Sequence, residues 1–592
     1  MRHIQILGAM CVLLFLAANM LRAETPALVV LRGIDLKGGA ADLFGSTFYG
    51  ESDINYVYAE PTGSHSTMTA TFTLTGVPKS KLFLHIKGRD DDGPGKCAIE
   101  VSINRQSIFD GPNDFAQTQW QTRKYLIPSG ILKKGENTLT IACRERTGQV
   151  GSPPWFQVTV CAIAKEGYII PGEAAKEFKI KLPRKIRPFP KPLKPGQKPG
   201  FPLRGIKSWM WTPEQCLSEI PILAKYKMNF FMNCYTTMSD LKQFRGSYTW
   251  GDPEANRWWE DLSASRKQSF EDIVRECQKY GIDFCFSMNP NLGSKRPLDY
   301  GSAKDIDDLW KHYKWMQELG VKWFNISLDD ISQGIDPSGQ ASVVNEIFRR
   351  LKANDPQAKM IFCPTVYWGD GKFPGDRQYL ETIARELDKD VFLFWTGISV
   401  VGNITRKAAE SYRSFVKHRL IIWDNYPVND GNPTMHLGPV TNRDADLCEV
   451  ADGYMSNPLC TQNEGNRFPT LTCADYAYNP YAYDPGRSIG QAILQLESGK
   501  EQRQIIKELV EAYPGGIIYG RPSTDTNPVR ERFARVMESA HPEDAAKAMF
   551  FSLESLASRM DKAFPTLYAA EKQTLRNDIE FVKLAIRSKW PR

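Results

Sequence analysis

The sequence predicts a multidomain protein made of a β-sandwich, a TIM (β/α)8 barrel and a C-terminal α-helical bundle. Three patterns support this order. Runs of alternating polar and apolar residues occupy positions 27–168, eight rounds of an apolar run and an amphipathic stretch occupy 203–487, and helical periodicity fills 488–592. A chain of 592 residues is long enough for three or four domains.

Composition and charge restrict the classes of function. With 42% hydrophobic and 24% charged residues, the chain is ordinary for a globular protein, which excludes a disordered or collagen-like chain. The net charge is +7, but residues 179–202 hold eight Lys and Arg and no acid, and removing these eight leaves −1. Since no folded part is strongly basic, we expect no nucleic-acid partner.

Residues 1–23 have the pattern of a signal peptide. Arg2 supplies a positive charge, residues 4–18 are an apolar core, and Ala23 precedes the expected cleavage site. The apolar run is short for a stable membrane anchor, although an uncleaved anchor helix is the alternative. We expect a secreted or periplasmic protein with no membrane span after signal cleavage.

No metal site and no cofactor are expected. The twelve cysteines include no Cys-x-x-Cys pair and the seven histidines are scattered, so there is no zinc signature. Cys216, Cys234, Cys285 and Cys363 fall in apolar patterns and are expected in the core. A disulfide is compatible with export, but the sequence does not pair the cysteines.

Residues 27–168 alternate with period two between turn residues, which predicts a β-sandwich. Predicted strands cover 67–74, 81–86, 98–103, 137–142 and 156–160. The stretch from Ile99 to Asn137 resembles galactose-binding-like jelly rolls, a resemblance that implies either carbohydrate binding or structural packing alone. Asp90-Asp91-Asp92-Gly93 is interpreted as a solvated acidic turn, with a calcium site as the alternative.

A proline- and lysine-rich linker, residues 169–202, follows. Seven prolines between 183 and 202 fix φ and remove backbone donors, so we predict an extended, semi-rigid spacer. Its positive charge is interpreted as solvation, with a weak hold on acidic polysaccharide as the alternative.

The barrel, residues 203–487, is predicted from eight βα rounds. Predicted strands are 205–211, 228–235, 283–289, 322–329, 360–367, 391–396, 419–425 and 453–457, and predicted helices include 214–227, 269–280, 304–319, 341–353, 378–387 and 407–416. A doubly wound open sheet is the alternative, but no Gly-rich phosphate turn follows an early strand. In the tail, helices are predicted at 489–498, 502–512, 529–539, 543–560 and 567–588.

Polar and aromatic residues end the later barrel strands, where TIM barrels carry their active sites. They are Asp329 and Asp330 on strand four, Tyr367 and Trp368 on five, Trp395 and Thr396 on six, Trp423 and Asn425 on seven, and Asn457 on eight. Aromatic faces stack on sugars and amides hold hydroxyl groups, so this rim favours a carbohydrate ligand.

The adjacent pair Asp329-Asp330 suits a reaction in which the substrate supplies its own nucleophile. A 2-acetamido oxygen can close an oxazoline on the anomeric carbon with high effective molarity. One carboxylate then steadies the amide N–H and the other protonates the leaving oxygen; crowding raises the pKa of one partner. A helix cap or a metal ligand is the alternative for an isolated Asp-Asp.

The motifs Leu328-Asp329-Asp330, Trp395-Thr396-Gly397, Trp423-Asp424-Asn425-Tyr426-Pro427 and Ser456-Asn457-Pro458 resemble glycoside hydrolase family 84, the β-N-acetylglucosaminidases that include O-GlcNAcases. The resemblance runs from about 205 through 485. It implies a retaining, substrate-assisted hydrolase of terminal N-acetylglucosamine in a glycan or glycoconjugate.

The resemblance also implies residue roles. Asp329 would orient the acetamido group and Asp330 would be general acid and then base. Seven further residues would contact the sugar or its acetamido group: Gly205, Tyr367, Thr396, Trp423, Asn425, Asp430 and Asn457.

Two stretches of the sequence depart from the family pattern. The usual Arg-Gly-x-x-Glu-Gly-Phe-Tyr-Gly is replaced by residues 204–211, Arg-Gly-Ile-Lys-Ser-Trp-Met-Trp, and a sugar-binding lysine after strand two is replaced near Thr236 and Thr237. Lys207 is interpreted as a solvated rim charge or as a substitute for that lysine. Altered sugar specificity is one consequence, and a non-catalytic sugar-binding protein is the rival hypothesis.

Overall fold

The computed structural model describes residues 27–41, 53–59, 63, 65–90, 96–115, 120–146, 154–166, 168, 170, 179–234, 256–331, 334–371, 374–429, 434–459, 463–515, 527–537 and 542–590. The chain divides into two compact units, Met1–Ala174 and Ala175–Arg592. The predicted signal peptide lies outside the described residues. Within them, no helix is both long and apolar enough to cross a membrane.

The first unit is a β-sandwich of two antiparallel sheets, which confirms the prediction. Its strands are β1 (Val29–Arg32), β2 (Lys37–Gly38), β3 (Asn55–Tyr58), β4 (Thr67–Leu74), β5 (Leu82–Asp90), β6 (Ala98–Ile103), β7 (Gln106–Pro112), β8 (Gln121–Ile127), β9 (Gly135–Cys143) and β10 (Trp155–Ala164). One sheet has the order β1-β10-β5-β8 with β3 also on β10, and the other has the order β2-β4-β9-β6-β7.

Period-two alternation explains the sandwich core. In β4, Met68, Ala70, Phe72 and Leu74 are buried while the threonines between them are more exposed. At the end of β5, Asp90 is buried and its Oδ2 lies 3.2 Å from Lys96 Nζ. Because Asp91 to Gly93 lie outside the described residues, the calcium alternative stays a prediction.

The second unit contains the predicted TIM barrel, a closed parallel sheet of eight strands in sequence order. The strands are β11 (Leu203–Ser208), β12 (Phe230–Asn233), β13 (Asp283–Met288), β14 (Trp323–Ser327), β15 (Lys359–Cys363), β16 (Phe392–Trp395), β17 (Arg419–Asp424) and β18 (Gly453–Ser456). The helices after the first six strands are α1 (Pro213–Lys225), α2 (Ala264–Tyr280), α3 (Ala303–Glu318), α4 (Pro337–Asn354), α5 (Pro374–Glu386) and α6 (Arg406–Val416). A short 3-10 helix, Ala445–Glu449, follows β17.

Strand residues pack on both sides of the barrel wall. One set points outward against the helices, and the other fills the lumen with residues such as Leu203, Phe230, Cys285, Phe392 and Met455. This double burial explains why each strand reads as a continuous apolar run. Because the eight strands are parallel, the residues that follow them all lie at one rim of the barrel.

The helices after β18 are α7 (Asn463–Tyr478), α8 (Pro485–Leu496), α9 (Lys500–Ala512), α10 (Pro528–Met537), α11 (Pro542–Ala563) and α12 (Ala569–Lys589). Residues of α8 to α12 share an apolar core, as the helical periodicity predicted. Glu571 of α12 is buried at the start of α7, where it accepts a 2.6 Å hydrogen bond from the backbone N–H of Gly465.

The proline-rich segment is extended over 179–202 and is bound along the helices of the second unit. Ile180 belongs to the apolar core of the C-terminal helices. The backbone N–H of Arg187 donates to Gln491 at 3.0 Å, and that of Lys191 donates to Asp475 at 2.6 Å. This part of the predicted spacer is therefore an integral layer of the second unit.

Candidate active site

Asp329 and Asp330 follow β14 at the C-terminal end of the barrel. Trp323 of the same strand packs in the lumen, so the alternation directs Asn325, Ser327 and Asp329 inward as well. Asp329 is only 4% exposed, whereas Asp330 is exposed and has a φ of 56°. A non-glycine residue in this left-handed region stores strain of ~1–3 kcal/mol, a feature common at functional sites.

Asn289, just after β13, fixes Asp329. Its side-chain amide donates to the backbone carbonyl of Asp329 at 3.1 Å and to Oδ1 of the same residue at 3.3 Å. Oδ1 of Asn289 accepts from the backbone N–H groups of Asn291 and Leu292, which fixes the side chain. The sequence analysis did not single out Asn289. The one signal for this residue was that it is polar and ends a predicted strand.

Asp330 accepts a 2.7 Å hydrogen bond from the hydroxyl of Tyr367. Burial, reinforced by the two aspartates, raises the pKa of Tyr367 well above its ordinary value. The tyrosine therefore remains a neutral proton donor across the working pH range. Tyr367 is also joined to Thr396, whose backbone N–H donates to the Tyr367 carbonyl at 3.0 Å.

Lys207 of β11 lies inside the barrel and is not a solvated rim charge. Its side chain is 1% exposed, and Nζ lies 4.1 Å from the ring centre of Trp209 and 4.2 Å from that of Trp423. Both distances are within the range of a cation–π interaction. Trp423 also meets Phe394 edge to face, with ring centres 5.1 Å apart.

Asn425 and Asn457 form a connected pair of amides beside Trp423. The Asn457 amide donates to Oδ1 of Asn425 at 2.8 Å, and the Asn425 amide donates to the carbonyl of Val400 at 2.8 Å. Oδ1 of Asn457 is buried without a hydrogen-bond partner among the residues that the structure describes. This oxygen is available to accept a hydrogen bond from a ligand hydroxyl or amide.

A buried ion pair supports this part of the rim from outside the lumen. Arg443 donates through Nε to Asp424 at 2.7 Å, and the hydroxyl of Tyr454 donates to the same carboxylate at 2.6 Å. The backbone carbonyl of Asp424 accepts from the N–H of Asn457 at 2.8 Å. The pair thus fixes the chain between Trp423 and Asn425 and connects it to Asn457.

Gly205 is the one remaining predicted contact that the structure describes. Gly205 is buried inside β11, where an added Cβ would lie 1.9 Å from the carbonyl oxygen of Phe230, and Lys207 is two residues nearer the rim. Asp430, Thr236 and Thr237 lie outside the described residues, so their roles stay predictions. In the described parts of the chain, no group of three His, Cys, Asp or Glu residues could hold a metal ion.

Comparison with known proteins bears on the family and the fold. The model of a protein family described as beta-N-acetylglucosaminidase matches residues 209–511. Among solved structures, the chain is similar to CpGH84B, with 19% identity and a TM-score of 0.53 over 73% of this chain and 71% of that one. It is also similar to a mutant O-GlcNAc hydrolase of Thermobaculum terrenum, with 22% identity and a TM-score of 0.53 over 65% and 82%. At these identities the structural likeness concerns the fold.

Proposed function

Because this chain belongs to glycoside hydrolase family 84, the β-N-acetylglucosaminidases, we propose that it removes terminal β-linked N-acetylglucosamine from a glycan or glycoconjugate. The reaction is retaining and substrate-assisted. The single observation that carries this proposal is the Asp329-Asp330 pair at the mouth of the barrel, with one carboxylate fixed by Asn289 and the other bonded to Tyr367.

In the first step the acetamido carbonyl oxygen attacks the anomeric carbon while Asp330 donates its proton to the glycosidic oxygen. The C–O bond to the aglycone breaks and an oxazoline forms. Asp329, held by Asn289, accepts the amide N–H and stabilises the positive charge that develops on the ring. Its burial suits this role, since a fixed carboxylate in a low-dielectric site interacts strongly with that charge.

In the second step Asp330 takes a proton from water, and the water oxygen attacks the anomeric carbon from the face that the aglycone left. The oxazoline opens and N-acetylglucosamine leaves with its β configuration retained. The exposure of Asp330 supports this double role, because the residue must reach both the leaving group and solvent water. Tyr367 can exchange its bond to Asp330 for one to the acetamide during the reaction.

Trp423, Thr396 and the amides of Asn425 and Asn457 supply the sugar contacts in this proposal. The unpartnered oxygen of Asn457 is placed to accept one hydrogen bond from the substrate. Export through residues 1–23, to the periplasm or outside the cell, belongs to the same proposal, and N-terminal sequencing of the exported protein tests it.

The main test compares an aryl 2-acetamido-2-deoxy-β-glucoside with the plain aryl β-glucoside. We expect turnover of the first, none of the second, and inhibition by an oxazoline-mimicking thiazoline. Equal turnover of the two substrates would eliminate the substrate-assisted mechanism.

A second test separates the two aspartates. Asp330→Asn should lose ~10²–10⁴-fold with poor leaving groups and little with activated phenols, because the latter need no proton. Asp329→Asn should lose rate with every leaving group. Identical losses across the series would contradict the two roles.

A further inference from the structure

Lys207 is a buried cation in the mouth of the barrel that the proposed mechanism does not use. Its ammonium is enclosed by the rings of Trp209 and Trp423 at nearly equal distances, 4.1 and 4.2 Å. Buried lysines are rare, and an ammonium enclosed between two indole faces is a specific arrangement. The position therefore requires an explanation beyond packing.

The charges of Lys207 and of the two aspartates all act on the thiol of Cys363. Burial, followed by the charges of Asp329 and Asp330, raises the pKa of the lumen thiol Cys363 well above its ordinary value, and Lys207 opposes that increase. Cys363 pairs in register with Ser327, two residues before Asp329. Trp209 and Trp423, which enclose the ammonium, belong to the same lumen cluster as Cys363 and Tyr367, and the Tyr367 hydroxyl donates to Asp330. The ammonium thus lies in the same part of the lumen as the carboxylate pair. Among the described residues, the titratable groups that interact with Cys363 or with the aspartates include Lys207 and Tyr367.

We propose that Lys207 is a positioning residue of this hydrolase: clamped between Trp209 and Trp423, it fixes the indole wall of the acetamido pocket and supplies the positive charge that keeps one aspartate ionised during catalysis. The inference rests on the proposed function, because the substrate-assisted mechanism needs one carboxylate charged while its neighbour is protonated. Two adjacent carboxylates repel each other, and a nearby cation allows the first to ionise while the second keeps its proton.

The experiment measures kcat/KM against pH for the wild type, Lys207→Met and Lys207→Arg with the aryl 2-acetamido substrate. Lys359→Met is the matched control. Lys359 also meets a tryptophan, Trp323, with Nζ 4.8 Å from the ring centre, but it begins β15 at the opposite end of the barrel. Removal of Lys359 therefore tests a lost cation–π contact that is remote from the aspartates.

We expect Lys207→Met to move the acidic limb of the profile upward by about one pH unit, since removal of a nearby opposite charge raises the pKa of a carboxyl group. Lys207→Arg should retain the acidic limb of the wild type even if kcat/KM falls, and Lys359→Met should match the wild type. An unmoved acidic limb in Lys207→Met would overturn the proposal, whether or not the rate falls.

A second readout separates this proposal from the proposed function. Should the wild type cleave neither aryl glycoside, the function fails, and the pH dependence of tryptophan emission then tests Lys207 alone. Trp423 lies against the Lys207 ammonium, and we expect protonation of the aspartates to change its emission. The acidic transition of that emission should therefore occur about one unit higher in Lys207→Met than in wild type and Lys359→Met. Coincident transitions would again refute the role of Lys207.

An independent observation in the first unit concerns Cys97 and Cys143. Both thiols are fully buried, and their Sγ atoms lie 3.3 Å apart between the start of β6 and the end of β9. We infer that they form a disulfide when the protein matures in an oxidising compartment. The two thiols lose two protons and two electrons to a disulfide oxidant, which is reduced to two thiols, and one S–S bond joins the residue before β6 to the end of β9.

Differential alkylation of the exported, denatured protein before and after reduction tests this pairing. We expect Cys97 and Cys143 to be alkylated only after reduction and to appear in one linked peptide of the unreduced digest. Cys161 is the matched control, since it is fully buried in β10 of the same unit and should be alkylated in both samples. Full alkylation of Cys97 and Cys143 without reductant would overturn the inference.

Discussion

Glu571 should make the protein less stable as the pH rises from about 4.5 to about 7. Its carboxyl group is buried at the start of α7, where Oε1 accepts from the Gly465 N–H and Oε2 has no hydrogen-bond partner among the described residues. Burial raises the pKa of Glu571 from its ordinary value to about 7, and the nearby Glu464 adds to the increase.

Between these two pH values the folded protein holds a proton that the unfolded chain has released, so the free energy of unfolding falls as the pH rises. From an ordinary pKa of about 4.5 the increase is about 2.5 units, and at ~1.4 kcal/mol per unit this amounts to ~3 kcal/mol. Glu571→Gln keeps an oxygen for the Gly465 N–H and is neutral at every pH. Relative to wild type it should gain this amount between pH 4.5 and 8, or ~3–4 °C in Tm for a unit of ~400 residues.

The assay is the melting temperature of wild type and Glu571→Gln across pH 4.5–8.5. Glu554→Gln, on the exposed side of α11, is the control and should follow the wild type at every pH. The difference between Glu571→Gln and wild type is the informative quantity, because contributions common to both proteins cancel. A difference that is constant with pH, or that turns against the glutamine as the pH rises, would refute the reasoning.

Three further substitutions test contacts of the rim. Asn289→Ala removes the donor to Asp329, and since hydrogen bonds to charged groups are worth ~1.5–3 kcal/mol we expect kcat to fall ~10–100-fold with little change in KM; a change in KM alone would contradict the assigned role. Arg443→Met leaves the buried Asp424 without its cation and should lower the free energy of unfolding by ~3–5 kcal/mol, measured by urea denaturation; an unchanged midpoint would show that the pair contributes nothing. Tyr367→Phe removes the hydroxyl bonded to the general acid and should reduce kcat/KM ~10-fold or more, and full activity in steady-state assays would exclude that contact from catalysis.

The fold was largely predictable because hydrophobic periodicity reports directly on burial. All eight barrel strands were predicted within a few residues, since parallel strands buried on both faces appear as short apolar runs. The predicted and observed ends of the strands differ most where a polar or aromatic residue such as Tyr367 follows the strand. Such residues continue the apolar pattern beyond the last ladder hydrogen bond, as the end of β15 at Cys363 shows.

The site was predictable only in part, because a sequence orders residues along strands but does not pair them across the barrel. Lys207 was interpreted as a rim charge on the sound basis that lysine is seldom buried; two tryptophans distant from each other in the sequence make the exception. The bond from Asn289 to Asp329 links the ends of neighbouring strands, and one sequence offers no signal for it. Gly205 matched a motif and lies within β11, with Lys207 two residues nearer the rim; its backbone contact with the sugar stays a prediction.

The bound proline-rich segment determines where this chain can be divided for experiments. A fragment beginning at Leu203 would lack the backbone donors that Gln491 and Asp475 now bind and would open the apolar core that Ile180 completes. A fragment of the hydrolase should therefore begin upstream of residue 179. The eight basic residues of this stretch suggest ready cleavage by trypsin, but the stretch is protected. Four of the eight precede proline, and the others lie on a backbone held against folded helices. A basic, proline-rich composition is thus no guide to a cleavable hinge in this protein.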